Sequence, residues 1–353
     1  MRPIKLNRRE VMVGAGAALL TARSAFAQGE PPKPKQIVVN ASGGSMNAAL
    51  RKAYFDAFEK DTGIRVVETS PVDLGKLKAM VGSGNIEWNL TEIGGQDGAL
   101  VQRLGLVEKI DPKMVDRSAY PKEARSEYLF ASSVYSTVLA YRTDVFATGK
   151  QPKGWAEFWD VKRFPGPRSM RNHPVDNLEY ALLADGVPAD KLYPIDLDRA
   201  FKKLDEIKPH VNVWWTTGQQ PAQLLLDKEV VLATGWNGRF YDLMKKGAPI
   251  AVDWTQGSLK QGTFVIPKGA KDLHWANKML AYMSDPKRQA IYANELGYPG
   301  LNLESIKYID PQAAPHMPTY PENLPKQFWL SVSWWDDNLE RSMERWKQWL
   351  LKK

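Results

Sequence analysis

The feature that most restricts the fold is an apolar strand, a small-residue turn, an amphipathic helix and a second strand in immediate succession. Ile37-Val38-Val39 reads as the strand and Ala41 to Ser45 as the turn. Asn47 is placed to cap a helix reaching Lys60, with Leu50, Tyr54 and Phe58 at four-residue spacing. Gly63 stops that helix and Ile64 to Val67 begins the next strand. Strands joined through a helix run parallel, which commits the chain to the α/β class. The pattern recurs as a helix over 73–81, a strand at Leu90–Ile93, a Gly94-Gly95 turn and a helix from Gln96 to Leu104. Beyond a β-rich Tyr128–Arg142, a second set follows. It comprises helices at Asp198–Ile207, Gln219–Asp227 and Asn237–Lys246, with strands at Val230–Thr234 and Ile250–Trp254. Thr263 to Pro267 is expected to return to the first set, followed by helices near 273–283 and 286–296 and a Trp-rich helical end from Pro325. At 353 residues the chain exceeds one ordinary core and suits two lobes. The expected partition is lobe 1 from 36–141 and 264–305, lobe 2 from 142–263, and a C-terminal helical segment, 306–353, packed on both.

The first 27 residues read as an export signal. A basic stretch precedes the apolar Val11 to Leu20, and Ala25-Phe26-Ala27 fits a small-x-small cleavage pattern. Arg8-Arg9-Glu10-Val11-Met12 fits a twin-arginine pair, the address of a route that carries folded proteins. Asn7 stands where Ser or Thr is commoner. Residues 28–35, rich in Pro and Lys, are expected to form a disordered leader. With no later apolar stretch near 20 residues, a soluble periplasmic protein is expected.

Charge then loses its apparent meaning. Half of the formal +8 lies in residues 1–27, and no later Lys/Arg run interleaved with aromatics remains, so a nucleic-acid partner is not expected. The absence of cysteine removes disulfides, thiolate metal sites and cysteine nucleophiles. His173, His210, His274 and His316 show no i, i+4 spacing, and neither a G-x-S-x-G elbow nor a phosphate loop occurs outside the signal. No metal or cofactor is implied, and the expectation is a binding protein rather than an enzyme.

Several blocks, taken in order, sharpen this. Ala53-Tyr54-Phe55-Asp56-Ala57-Phe58-Glu59-Lys60-Asp61-Thr62-Gly63-Ile64 resembles the first helix of the spermidine/putrescine-type periplasmic substrate-binding proteins of ABC transporters. Gly154-Trp155-Ala156-Glu157-Phe158-Trp159 is similar to their Trp-x-x-x-Trp segment. Pro221 to Glu229, followed by Val230 to Trp236-Asn237-Gly238, is similar to their second-lobe block, and Gly297-Tyr298-Pro299 with Asn302 to the motif after the return to lobe 1. The resemblance spans nearly the whole mature chain. It implies a two-lobed, type II-like periplasmic-binding-protein fold with a ligand cleft between the lobes. It also implies a small-molecule ligand, a polyamine or an ω-amino acid such as γ-aminobutyrate, and a monomer that delivers it to an inner-membrane permease with a cytoplasmic ATPase.

The resemblance also suggests site residues. Trp236 matches a wall for an alkylamine or cation, Asp176 a cleft carboxylate, and Thr217 a polar turn of the second lobe. Gln96 and Asp97 match a first-lobe loop, and Trp335 a C-terminal contact. The loop Ser42, Gly43, Gly44 lacks the aromatic–acid pair of polyamine binders, though glycines after a strand can free N–H groups for an anion. His173, Lys260 and Gly262 stand where further acids or a Trp are expected. Losing acids disfavours a dication, and Arg171 or Arg239 could hold a carboxylate. Beside these readings stand plainer ones: Trp236 and Trp335 as packing, Asp97 as a helix cap, Arg239 as a solvent-facing residue. Two rivals are open, an iron(III)- or anion-binding relative and a secreted enzyme on a two-lobed fold. The first needs clustered tyrosines, and no adjacent pair exists; the second needs a paired nucleophile and base. Changing Arg8 and Arg9 together to Lys is expected to leave the chain unprocessed in the cytoplasm, as read by fractionation and immunoblot. Normal processing would assign export to another route.

Overall fold

The computed structural model describes residues 30–147 and 149–352. The leader over 1–27, with its twin arginines and cleavage pattern, lies outside the described residues, and residues 30–34 carry no helix or strand. In the unit from Lys35 onward, β1 (Gln36–Asn40) leads to α1 (Ser45–Leu50), a π-helical stretch (Arg51–Phe55) and α2 (Asp56–Thr62). This helix begins two residues before the expected cap. The reason is local: Gly44 turns the chain at φ 58°, and Asn47 reaches back so that its Oδ1 accepts the Gly43 N–H at 2.8 Å. Gly63, at φ 75°, ends the run as expected. Then come β2 (Arg65–Thr69), α3 (Leu74–Ser83) capped by Asp73, β3 (Leu90–Gly94), a 3-10 turn (Gly95–Asp97) and α4 (Gly98–Arg103).

After β4 (Phe130–Arg142) the second set comprises α5 (Gly154–Trp159), β5 (Arg168–Arg171), α6 (Pro174–Ala184), α7 (Leu197–Ile207), β6 (Val211–Trp215), α8 (Gln220–Leu226), β7 (Leu232–Trp236) and α9 (Asn237–Lys245). The chain returns through β8 (Ile250–Val265), α10 (Leu273–Ser284) and α11 (Pro286–Leu296), and ends with β9 (Phe328–Trp329) and α12 (Val332–Leu351). The sheet runs β2-β1-β3-β8-β4-β7-β5-β6, with β9 on β8. As the βαβ units require, β1 is parallel to β2 and β3, and β5 to β6 and β7.

The sequence predicts two strands where the structure has one, β8, of 16 residues. The residues between the two expected strands, Ser258 to Gly262, pair with Thr137 back to Ser133 on β4. The ladder is packed closely by small residues: a Cβ on Gly262 would come within 2.6 Å of Ser133 Oγ, and one on Gly257 within 2.8 Å of Ser136 Oγ. Apolar packing divides at the same level. The first core takes β4 only as far as Val134, together with Ile37, Phe58, Leu90 and Phe264. The cores of the second set start at Val138 and Leu139. The boundary expected at 141–142 sits at the end of β4, and that at 263–264 sits inside β8. Tyr135 packs on the edge of the first core, and Ser136 and Thr137 lie between it and the second set.

Candidate ligand cleft

Parallel strands send their carboxyl ends to one edge, where open α/β sheets hold ligands. Ser42 follows β1, Val72 follows β2, Gly94 ends β3 with Asp97 just beyond, Arg171 ends β5, Thr216 to Gly218 follow β6, and Trp236 ends β7. All of these line one cavity of about 420 Å³. Tyr135, His173, and Leu339 and Met343 of α12 complete its wall.

Its aromatic side is built by edge-on rings. Trp236 meets Trp215 at 5.8 Å and 85°, and Tyr135 at 6.2 Å and 76°. Gly218 makes room for it, since a Cβ there would fall 2.2 Å from the indole. The Arg171 guanidinium lies 5.7 Å from the Trp236 ring centre and 5.8 Å from that of Trp215. Among the described residues no carboxylate pairs with it. Asp97 supplies the opposite charge. Burial pushes its carboxyl up to about 6, opposed by the positive charges of Arg171 and Lys78 and by the Gly94 N–H. His173 is held neutral: burial, then the charges of Arg171 and Lys260, depress its pKa well below the usual imidazole range. Its Nδ1 accepts the Val175 N–H at 3.2 Å, so the remaining proton sits on Nε2 as a donor.

The sequence-derived residues separate into groups. Ser42, Asp97, Arg171, Thr217 and Trp236 line the cavity. The Gln96 backbone lies in the turn before α4, and its side chain is outside the described residues. Asp176 does not line it: it is 0% exposed, ion-paired with Lys260 and hydrogen-bonded by Thr137 Oγ1 at 2.9 Å. The ammonium expected from a ligand is thus supplied by the protein. Trp335, also 0% exposed, donates from Nε1 to Glu179 Oε1 at 2.7 Å and fastens α12 to α6. Burial, reinforced by Asp176, pushes the Glu179 carboxyl up to about 7. Gly43, Gly44 and Arg239 meet in a seam between the two sets of elements. Arg239 is 1% exposed rather than solvent-facing, and its Nη1 donates to Gly43 O at 3.2 Å and to Ser45 Oγ at 2.7 Å. The sequence reading passed over Tyr135, Leu339 and Met343. The last two had a signal, because Trp335, Leu339 and Met343 recur at four-residue spacing on one helical face.

Known proteins share this fold. The model of the bacterial extracellular solute-binding protein family matches residues 53–319. The chain belongs to that family. A solved ABC transporter substrate-binding protein from Bradyrhizobium japonicum is 40% identical, with 90% of this chain and 100% of that one covered and a TM-score of 0.83. A solved GABA receptor is 35% identical over 90% of this chain and 98% of its own, with a TM-score of 0.81. The gamma-aminobutyric acid-binding protein of Pseudomonas aeruginosa is 32% identical, with 92% of this chain and 94% of that protein covered. The two-lobed fold and the role of solute-binding component of an ABC importer, both expected from sequence, therefore stand. Family members of this kind deliver small molecules to a membrane permease. Among the described residues of this solute-binding protein, no helix is long and apolar enough to cross a membrane.

Asp176 and Lys260 make a sharp stability test. Lys260→Met leaves a buried carboxylate unpaired and is expected to cost about 3–5 kcal/mol, measured by urea unfolding. Adding Asp176→Asn should recover most of that loss. A Lys260→Met chain as stable as the parent would show that Asp176 has another counter-charge.

Proposed function

We propose that this solute-binding protein captures a small zwitterion with separated charges, an ω-amino acid of the γ-aminobutyrate kind. Residues 1–27 direct its export by the twin-arginine route and are cleaved. The mature monomer passes its solute to an inner-membrane permease driven by a cytoplasmic ATPase. The observation that carries the ligand reading is Arg171, a cation stacked on two indoles at the cavity wall with no carboxylate among the described residues spent on it. It is suited to a ligand carboxylate, with the His173 Nε2–H as a second donor. Asp97 receives the ammonium, and the methylene chain lies against Trp236 and Tyr135. The rest of the wall is mixed, with Val72, Leu339 and Met343 apolar and Ser42, Thr216 and Thr217 polar. A diamine would set one ammonium near Arg171 without a carboxylate, at a cost on the order of several kcal/mol. Stacking on Trp236, about 1–2 kcal/mol, does not offset it. The gamma-aminobutyric acid-binding protein and the GABA receptor among its relatives support the same choice.

Calorimetry with γ-aminobutyrate, putrescine and spermidine tests this. γ-Aminobutyrate should bind at least as tightly as either polyamine, and Arg171→Met should weaken it roughly a hundredfold, as for loss of a buried charge pair. Micromolar spermidine binding with no response to γ-aminobutyrate would restore the polyamine reading.

Asp97 adds a pH dependence. An ammonium requires its ionised form, and with a pKa of about 6 that form falls from nearly all at pH 7.5 to about a tenth at pH 5. Affinity should fall about tenfold across that interval. His173 is shifted the other way, burial holding it well below the usual imidazole range. Asp97→Asn should bind more weakly at pH 7.5 and show a flat profile; a slope that survives the substitution would assign the titration to another group.

A further inference from the structure

Arg239 is a buried cation without an ion pair among the described residues. It projects from α9, whose Phe240 and Leu243 belong to a core of the second set. Its acceptors Gly43 O and Ser45 Oγ belong to the β1–α1 loop of the first, and Gln219 Oε1, at 3.2 Å, precedes α8. Neither the cavity lining nor an exposed surface includes it. Its acceptors are all neutral. Glu92, whose carboxyl feels the charge of Arg239, takes its hydrogen bonds from the Ser42 N–H and Oγ–H at 2.9 and 2.6 Å. Arg239 acts on Glu92 only through its field.

The loop it grips is shaped for this contact. Gly43 and Gly44 both lie at positive φ, 75° and 58°, a conformation that strains any side chain. A Cβ on Gly44 would stand 3.4 Å from Arg239 Nη1 and 3.3 Å from Gln219 Oε1. The Gly43 N–H is already taken by Asn47. The loop therefore offers the seam a carbonyl and a hydroxyl oxygen, which suit a cation and not an anion. The start of α9 is docked on the first lobe beside it: Asn237 Nδ2 donates to Gly297 O at 3.0 Å, and a Cβ on Gly238 would fall 2.5 Å from Leu296 O.

We propose that Arg239 is a latch between the lobes, holding the Gly43–Ser45 loop when the cleft is shut and thereby setting how long a ligand stays. The geometry makes it a positioning residue with no contact to the solute. It rests on membership of the two-lobed binding proteins and not on which solute is bound. The two hydrogens of Nη1 are shared among three acceptors, of which Ser45 Oγ at 2.7 Å is the nearest, so removing Ser45 takes away the strongest hold of the first lobe on the guanidinium. Removing either side of the contact therefore destabilises the shut form, and the loss falls on dissociation more than on encounter.

The test is a double-mutant cycle read by stopped flow, with γ-aminobutyrate as the probe. Arg239→Met is expected to raise koff about tenfold with kon within about twofold, and Ser45→Ala to raise koff several-fold. The double variant should be no faster than Arg239→Met alone, since both substitutions remove one contact. A silent Ser45→Ala, or strictly additive effects, would overturn the latch. If γ-aminobutyrate fails to bind the parent chain, the ligand assignment falls and the latch is read without ligand. In small-angle scattering, ligand-free Arg239→Met should then have a larger radius of gyration than the ligand-free parent, and equal radii would overturn it.

Discussion

The antiparallel pairing of β4 with β8 is the constraint on which everything else depends. Each strand serves both halves of the sheet: β8 carries β3 at one end, β4 carries β7 at the other, and between them the two strands pair with each other. A ladder shared in this way keeps the lobes in one register while leaving their apolar cores separate. Its middle is rich in Ser, Thr and Gly, with Tyr135, Leu259 and Lys260 among them. Any relative motion of the lobes must pass through that polar stretch. The same stretch delivers Thr137 and Lys260 to Asp176, and Ser258 to Lys260, so the electrostatics behind the cleft are a direct product of the strand pairing.

That placement decides what charge the cavity can show. Asp176 stands at φ 74°, an uncommon conformation for a residue with a side chain, and its carboxylate is sealed by Lys260 and Thr137. Its charge is neutralised inside the protein. What remains at the wall is one cation, Arg171, one acid, Asp97, and a histidine kept neutral by burial. A wall of that composition complements a molecule with one charge of each sign. The selectivity proposed above thus starts with a lysine that never meets the solute.

Much of the fold was legible because its signals were local. The first βαβ unit was set by Gly63 and the four-residue spacing of Leu50, Tyr54 and Phe58, features that need no knowledge of distant residues. The single long strand was not legible, because Ser258 to Gly262 are strand residues only by virtue of β4 lying beside them. The site divided along the same line. Residues at strand ends, such as Arg171 and Trp236, could be read from order along the chain. Asp176, Arg239 and Trp335 could not, because their partners Lys260, Gly43 and Glu179 are remote in sequence, and only those partners turn a candidate ligand group into a buried one.

Three arginines show how fully the surroundings assign a role. Arg168 is 0% exposed and donates to the carbonyls of Phe158 and Phe164, the latter at 2.5 Å; burial lowers its pKa to about 10. It is a structural clamp under α5. Arg239 finds a carbonyl and a hydroxyl across the lobe seam, and its Nη1 is spent there. Arg171, only three residues after Arg168, finds ring faces instead. Aromatic faces attract the charge but accept no strong N–H bond, so its guanidinium is anchored while its donors stay available. A guanidinium is committed by the oxygen atoms the backbone brings to it. In this cleft the strand end that carries Arg171 brings indoles, which leaves this arginine, of the three, able to take its oxygens from a solute.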